Sequence, residues 1–195
     1  INTHGIDCEI INHDKSEHKE KITAENNQET FGNLSSLLKC FELAKKDQSD
    51  LIYFVEDDYL HYDHSLVDML DTYERISSQH KDEIIVCPSD YPFNYMTNEK
   101  TNILIGSQQH WRIITKMLCT FMISKKMFQK HINNFEKTCE KRHDPFEKYL
   151  NEVLQKEIAI SPIKSLAIHL TNVNSSYGLS PFIDYKKLWD ENKVK

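Results

Sequence analysis

The stretch DLIYFVEDDYLHYD, Asp50 to Asp63, decides how the rest of the chain is read. Leu51 to Val55 form an unbroken apolar run, the pattern of a central strand covered on both faces. The run ends in three consecutive acids, Glu56, Asp57 and Asp58. Carboxylates held a few ångströms apart raise one another's pKa, so such a cluster calls for water, a cation or hydrogen-bond donors beside it. Ligands of open α/β sheets gather where strands end, and residues two apart in extended chain face the same way. Glu56 and Asp58 can therefore face one ligand while Asp57 faces elsewhere. Hard oxygen ligands of this kind suit Mg2+ or Mn2+ shared with substrate phosphates. The alternative reading is that the acids cap a turn or the following helix.

Upstream, Cys8 to Asn12 alternates as a short strand, and His13 to Thr30 is a polar loop without periodicity. Leu34, Leu37, Leu38, Phe41 and Ala44 then fall at helical spacing, with Gly32 and Asn33 as start signals. Downstream, Asp63 is placed to cap a helix whose inward stripe is Leu66, Val67, Leu70, Tyr73 and Ile76. Glu83 to Cys87, Thr101 to Ile105, Leu118 to Ile123 and Ser165 to Leu170 read as strands, and Pro88 to Lys100 as an irregular loop. Lys125 to Cys139 and Pro145 to Lys156 read as helices, the second capped by Asp144 with Pro145 at its first position. Residues 171–195 are a C-terminal tail with a turn around Lys186 to Trp189. This order predicts an α/β/α sandwich with a mostly parallel central sheet, in a single domain over residues 1–195.

The chain has 195 residues, enough for one domain with a proper core, and a formal net charge of -6. That balance argues against nucleic acid, whose phosphates are bound through a basic surface. The five cysteines are scattered, without a Cys-x-x-Cys pair, which excludes a zinc ribbon or thioredoxin-like motif and fits a reducing, cytoplasmic setting. No apolar run reaches the roughly 18 residues of a membrane span, and no signal peptide is visible. The chain opens with Ile1 and goes almost directly into CEIIN, so the expectation is that a preceding piece is missing.

NNQETFGNLSSLLKCFELAKKDQSDLIYFVEDDYL resembles the central part of GT-A glycosyltransferases of the family 2 type. In those enzymes a helix after an Asn/Gly-containing loop leads into an apolar strand ending in an acidic D-x-D motif. Here that motif is Glu56-Asp57-Asp58, with Glu in place of the first Asp. HWRIITKMLCTFMISKKMF, RHDPFEKYL and SPIKSLAIHL are similar to the later, acceptor-side segments of bacterial enzymes of this kind. The resemblance implies a Rossmann-like GT-A fold entered after its first strand-helix unit. It implies a metal-dependent, inverting transfer from a nucleotide-diphosphate sugar, foremost a UDP-sugar, to a glycan or lipid-linked acceptor at the inner face of a membrane. Donor and metal contacts would come from Asn33, Glu56, Asp57 and Asp58, with His169 as a further metal ligand. Asp144 would be the general base.

Each of these residues also has a plainer reading. His169 on an apolar strand can be a satisfied core residue, and Asp144 before a proline is a good helix cap. Asp90 in PSDYP is a reserve candidate for the site or simply a turn residue. Trp111 can pack against a sugar ring and Arg112 can fork onto phosphate, or the pair can be a core Trp beside a surface Arg. His61 and His64 have metal-like spacing but flank a helix start. Two other classes share the broad features. A sugar nucleotidyltransferase would need a glycine-rich phosphate loop, whereas the glycines here, Gly5, Gly32, Gly106 and Gly178, are dispersed. A non-catalytic carbohydrate-binding domain of the same fold would keep the strands with a weakened motif.

Overall fold

A computed structural model of the chain describes residues 9–22, 27–96, 98–174, 179–181 and 183–193. Its elements, in order, are α1 (Gln28–Lys46), β1 (Leu51–Phe54), β2 (Tyr59–His61), α2 (Ser65–His80), β3 (Ile84–Val86), β4 (Ile103–Ile105) and β5 (His110–Ile113). There follow β6 (Phe121–Ser124), α3 (Lys125–Lys130), α4 (Ile132–Thr138), α5 (Lys148–Leu154), β7 (Ile158–Pro162), β8 (Ala167–His169) and α6 (Tyr185–Asn192). Short 3-10 turns cover Lys15–His18, Pro92–Tyr95 and Leu170–Asn174.

Six strands form one sheet in the order β1-β6-β3-β7-β5-β4, and β2 pairs with β8 in a separate ribbon. The sheet is mostly antiparallel, contrary to the expectation from sequence: among the described neighbours only β3 and β7 run parallel. The reason lies in two strands that the hydrophobic pattern hides. HWRI carries only two apolar residues, and IAISP ends in a proline, yet β5 and β7 take those segments. β5 inserts antiparallel beside β7 and folds back on β4 through a tight turn closed by Gly106 N–H donating to Gln109 O at 2.9 Å. β1 is also not central. It stands at one end of the sheet with Leu51, Ile52 and Tyr53 only half-buried.

Side chains alternate across a strand, so EIIVC and FMIS feed two cores. Ile85, Cys87, Phe121 and Ile123 pack with Leu38 and Phe41 of α1, Phe128 of α3, Phe135 of α4 and Leu150 of α5. Ile84, Val86, Met122, Ile160 and Trp111 pack on the other face against Met69 and Ile76 of α2. Helices thus cover both faces of a single sheet, and the α/β class holds with its strand directions corrected.

Helix boundaries differ from the sequence reading in instructive ways. α1 begins five residues before Asn33 because Asn27 caps it, its side chain accepting from Glu29 N at 2.9 Å and Thr30 N at 3.2 Å. Gly32 and Asn33 are inside the helix. Asp63 does not cap α2: His64 holds the N-cap position and makes no side-chain cap bond. The α2 stripe is rotated as well. Ser65, Asp68, Met69, Thr72 and Ile76 are buried, while Leu66, Val67 and Leu70 are exposed. Periodicity favours the larger apolar set, but here buried polar groups find partners. Ser65 Oγ donates to Leu166 O at 2.5 Å, and Asp68 Oδ2 accepts from Gln109 Nε2 at 2.9 Å.

The predicted helix Lys125 to Cys139 is broken at His131, whose backbone leaves the helical region and whose Nε2 meets Glu157 Oε1 at 2.5 Å. α5 starts at Lys148 behind Glu147, so Asp144 is no cap and Pro145 lies outside the helix. Glu9 to Asn12 form no strand, and Cys8 lies outside the described residues. The turn expected around Lys186 to Trp189 is the helix α6, capped by Asp184. Among the described residues no helix is long and apolar enough to cross a membrane.

Candidate functional site

Strand direction assembles the site. β1 and β3 both run antiparallel to β6, so their carboxyl ends share an edge with the amino end of β6. The register Phe54↔Phe121 then brings Glu56, just past β1, beside Thr120, just before β6. Glu56 N–H donates to Thr120 Oγ1 at 3.0 Å, and the Thr120 hydroxyl stands 3.4 Å from Glu56 Oε2 as its donor.

The small ribbon supplies the second component. Tyr59 pairs with His169, Leu60 with Ile168 and His61 with Ala167. A slip of one residue would turn His169 to the opposite face, so this register is what delivers it. His169 Nε2 lies 2.7 Å from Asp58 Oδ2, and the ring stacks on Tyr59 at 4.9 Å with planes 18° apart. Tyr59 is anchored in turn by its hydroxyl, 2.6 Å from that of Tyr91. The Thr171 hydroxyl also contacts the His169 ring, 2.8 Å from Nδ1. Asp58 O accepts from Leu170 N at 2.9 Å, closing the ribbon.

A third component was not singled out in the sequence. Glu147 occupies the N-cap position of α5 without a side-chain cap bond, and burial raises its carboxyl pKa. Its charge is felt at Glu56, whose pKa is pushed up to about 7 by burial first and then by Asp58 and Glu147. The buried Cys119 thiol, raised chiefly by burial, feels Glu56 and Glu147 as well. Glu56, just past β1, therefore feels the charges of both Asp58 and Glu147, the latter at the start of α5. Asp144, the residue that the resemblance offers at this helix start, lies three positions before Glu147.

The other expected residues fare differently. Asp144 is exposed, and among the described residues no hydrogen bond or ion pair joins it to Glu56, Asp58 or His169. Asn33 is exposed on α1, and Asp57 is exposed in the turn after β1. Trp111 is 0% exposed within the α2-side core, so neither face of its ring is open to a sugar. Arg112 is spent on internal contacts: its guanidinium lies 4.3 Å from the Tyr95 ring centre, Nη2 donates to the Tyr95 hydroxyl at 2.5 Å and stands 3.3 Å from Asp90 Oδ1. Asp90 is buried, and its Oδ2 accepts from Tyr95 Oη and Ser180 Oγ, each at 2.5 Å. Burial raises the Asp90 pKa against those donors. This cluster clasps the Pro92–Tyr95 turn and residue 180 to the sheet. His61 is engaged by Tyr53 Oη at 2.6 Å, burial lowers its pKa, and it belongs to no group of three metal-ligating side chains among the described residues.

As to a metal, the expected set of Glu56, Asp58 and His169 is not gathered as one: no group of three or more His, Cys, Asp or Glu side chains stands ready to hold an ion among the described residues. Asp58 meets His169, and Glu56 keeps a proton below about pH 7. No Lys or Arg forms an ion pair with Glu56, Asp57 or Asp58 among the described residues. Asp58 Oδ2 and His169 Nε2 contact each other at 2.7 Å, so an ion held between them would replace that contact and complete its shell with water and substrate oxygens.

The raised Glu56 pKa has a direct consequence for stability. Between about pH 4.5 and 7 the folded chain keeps a proton that the unfolded chain has lost. The contribution is full below pH 4.5 and disappears as pH rises through about 7. Glu56→Gln is therefore expected to be more stable than the parent at pH 8, by up to about 3 kcal/mol, with the two converging near pH 4. Urea unfolding at several pH values, in chelator, measures the difference. A constant gap across pH would disprove the cause.

No known family model matches the chain, and a search of curated proteins returns no match either.

Proposed function

We propose that this chain is a metal-dependent glycosyltransferase domain that moves a sugar from a nucleotide-diphosphate donor to a hydroxyl of a glycan or lipid-linked acceptor, with inversion. The observation that supports it most is the Asp58–His169 contact, at 2.7 Å, just past the strand end that carries Glu56, whose pKa is raised. Asp58 and His169 would hold the Mg2+ or Mn2+ ion, with Glu56 behind them on Thr120. Bound there, a divalent ion offsets the charge that develops on the departing diphosphate.

Glu147 is the base in this reading, in place of Asp144. A carboxylate whose pKa is lifted by burial takes a proton more readily near neutral pH. As the acceptor oxygen attacks the sugar's anomeric carbon, its proton passes to a Glu147 carboxylate oxygen, and the bond from that carbon to the diphosphate oxygen breaks. Tyr59 keeps the His169 ring in position throughout.

The test is binding of UDP and other nucleoside diphosphates with and without manganese, followed by thermal shift, since a ligand of the folded state raises apparent stability. Asp58→Ala is expected to lose the manganese-dependent part, and the exposed Asp57→Ala to retain it. Equal binding by Asp58→Ala and the parent would remove the metal role. Release of free sugar from a nucleotide donor separates a transferase from a binding domain, which releases none.

A further inference from the structure

Beyond the far end of the β2–β8 ribbon a cavity of about 570 Å³ is walled by Tyr62, His64 and Val67, by Gln108 and Gln109 of the β4–β5 turn, and by Lys164. Its size falls within the roughly 300–1,000 Å³ typical of small-molecule sites. The floor is held by its own hydrogen bonds. Gln109 Nε2 donates to Asp68 Oδ2 at 2.9 Å, and Gln109 Oε1 accepts from Lys164 N at 3.1 Å, which settles the orientation of the amide. Asp68 is 2% exposed and also accepts from Thr72 Oγ1, at 3.2 Å.

The rim is open to a ligand. His64, Val67, Gln108 and Lys164 are exposed, and Lys164 makes no ion pair among the described residues. The Tyr62 and His64 rings, 5.8 Å apart, and Val67 give one apolar wall. The remaining walls mix donors and acceptors: an ammonium, amides and the Asp68 carboxylate. That mixture fits hydroxyl groups, which donate and accept at once, with the apolar wall facing the C–H side of a ring. It disfavours an anion, because Asp68 is in the wall and the charges of Glu191 and Asp184 also act on Tyr62.

We infer that this cavity binds a neutral saccharide and serves as the subsite for the acceptor glycan, one or more sugar units away from the hydroxyl that receives the new sugar. The assignment rests on the glycosyl-transfer reading. The ribbon separates the cavity from the Asp58–His169 contact by its three register pairs, on the order of 7–10 Å.

The experiment is saturation-transfer NMR and titration of the whole chain with methyl glycosides of glucose, galactose and N-acetylglucosamine, with glucuronate and inorganic phosphate as anionic arms. At least one neutral glycoside is expected to bind with a Kd on the order of 1 mM. Gln108→Ala combined with Lys164→Ala should weaken it by roughly tenfold. Val67→Trp, a surface substitution that fills the cavity, should abolish it with the far-UV spectrum intact. Equal binding by all variants, tighter binding of phosphate or glucuronate, or no binding of any glycoside by the parent would each overturn the assignment. Manganese-dependent binding of UDP, measured in the same samples, reports separately on the Asp58 site.

Discussion

If the chain transfers sugar as proposed, Glu147→Gln is expected to lower that rate by about two to four orders of magnitude while leaving manganese-dependent binding of a nucleoside diphosphate intact. Gln keeps the shape of the side chain and removes its ability to take a proton. The loss should therefore fall on kcat, with little change in the KM for donor. Asp144→Asn provides the comparison, because Asp144 is exposed and makes no hydrogen bond or ion pair with Glu56 or His169 among the described residues. If the two variants exchanged behaviour, with Asp144→Asn inactive and Glu147→Gln unimpaired, the base would have to be reassigned to the exposed residue. Loss of both activity and diphosphate binding in Glu147→Gln would instead point to a structural fault at the start of α5.

Trp111→Ala is expected to destabilise the fold by about 3–5 kcal/mol. The side chain is 0% exposed, spans the register pair with Leu104, and fills the core beneath α2. Its neighbourhood shows how closely it fits: a Cβ added at Gly106 would come within 2.2 Å of Trp111 Nε1 and 2.9 Å of Thr72 Oγ1. Gly106→Ala must therefore displace the indole or the α2 helix, and it too should destabilise the chain, through overpacking rather than a cavity. Chemical denaturation measures both. A loss under about 1 kcal/mol for Trp111→Ala would mean that the ring sits at the surface. It would restore the idea that it stacks on a sugar.

Much of the site was legible in the residues. The apolar run into Glu56-Asp57-Asp58 marks a strand that ends in carboxylates, and Asp58 does meet His169. Asp57 is exposed, but in the turn after β1 rather than in extended chain, so the alternation expected there does not apply. What was not legible is pairing. Glu147 looks like any surface acid of a helix start until the chain folds, when burial raises its pKa and its charge acts on Glu56. Arg112 reads as a free fork for phosphate, yet Asp90 and Tyr95 already occupy it. The buried face of α2 was misjudged because Asp68 and Thr72 count as polar in a periodicity, and only the β4–β5 turn supplies the partners that let them be buried.

By itself the sequence determined the α/β class, the helix-strand alternation through its middle, the strand that ends in acids and the net negative charge, because each depends on local periodicity or on summed charge. Strand direction, the edge position of β1, the Tyr59↔His169 register and the gathering of Glu56 and Glu147 were decided only in the tertiary structure. Hydrogen-bonded register and burial depend on residues far apart in the chain, and no window along it contains both partners.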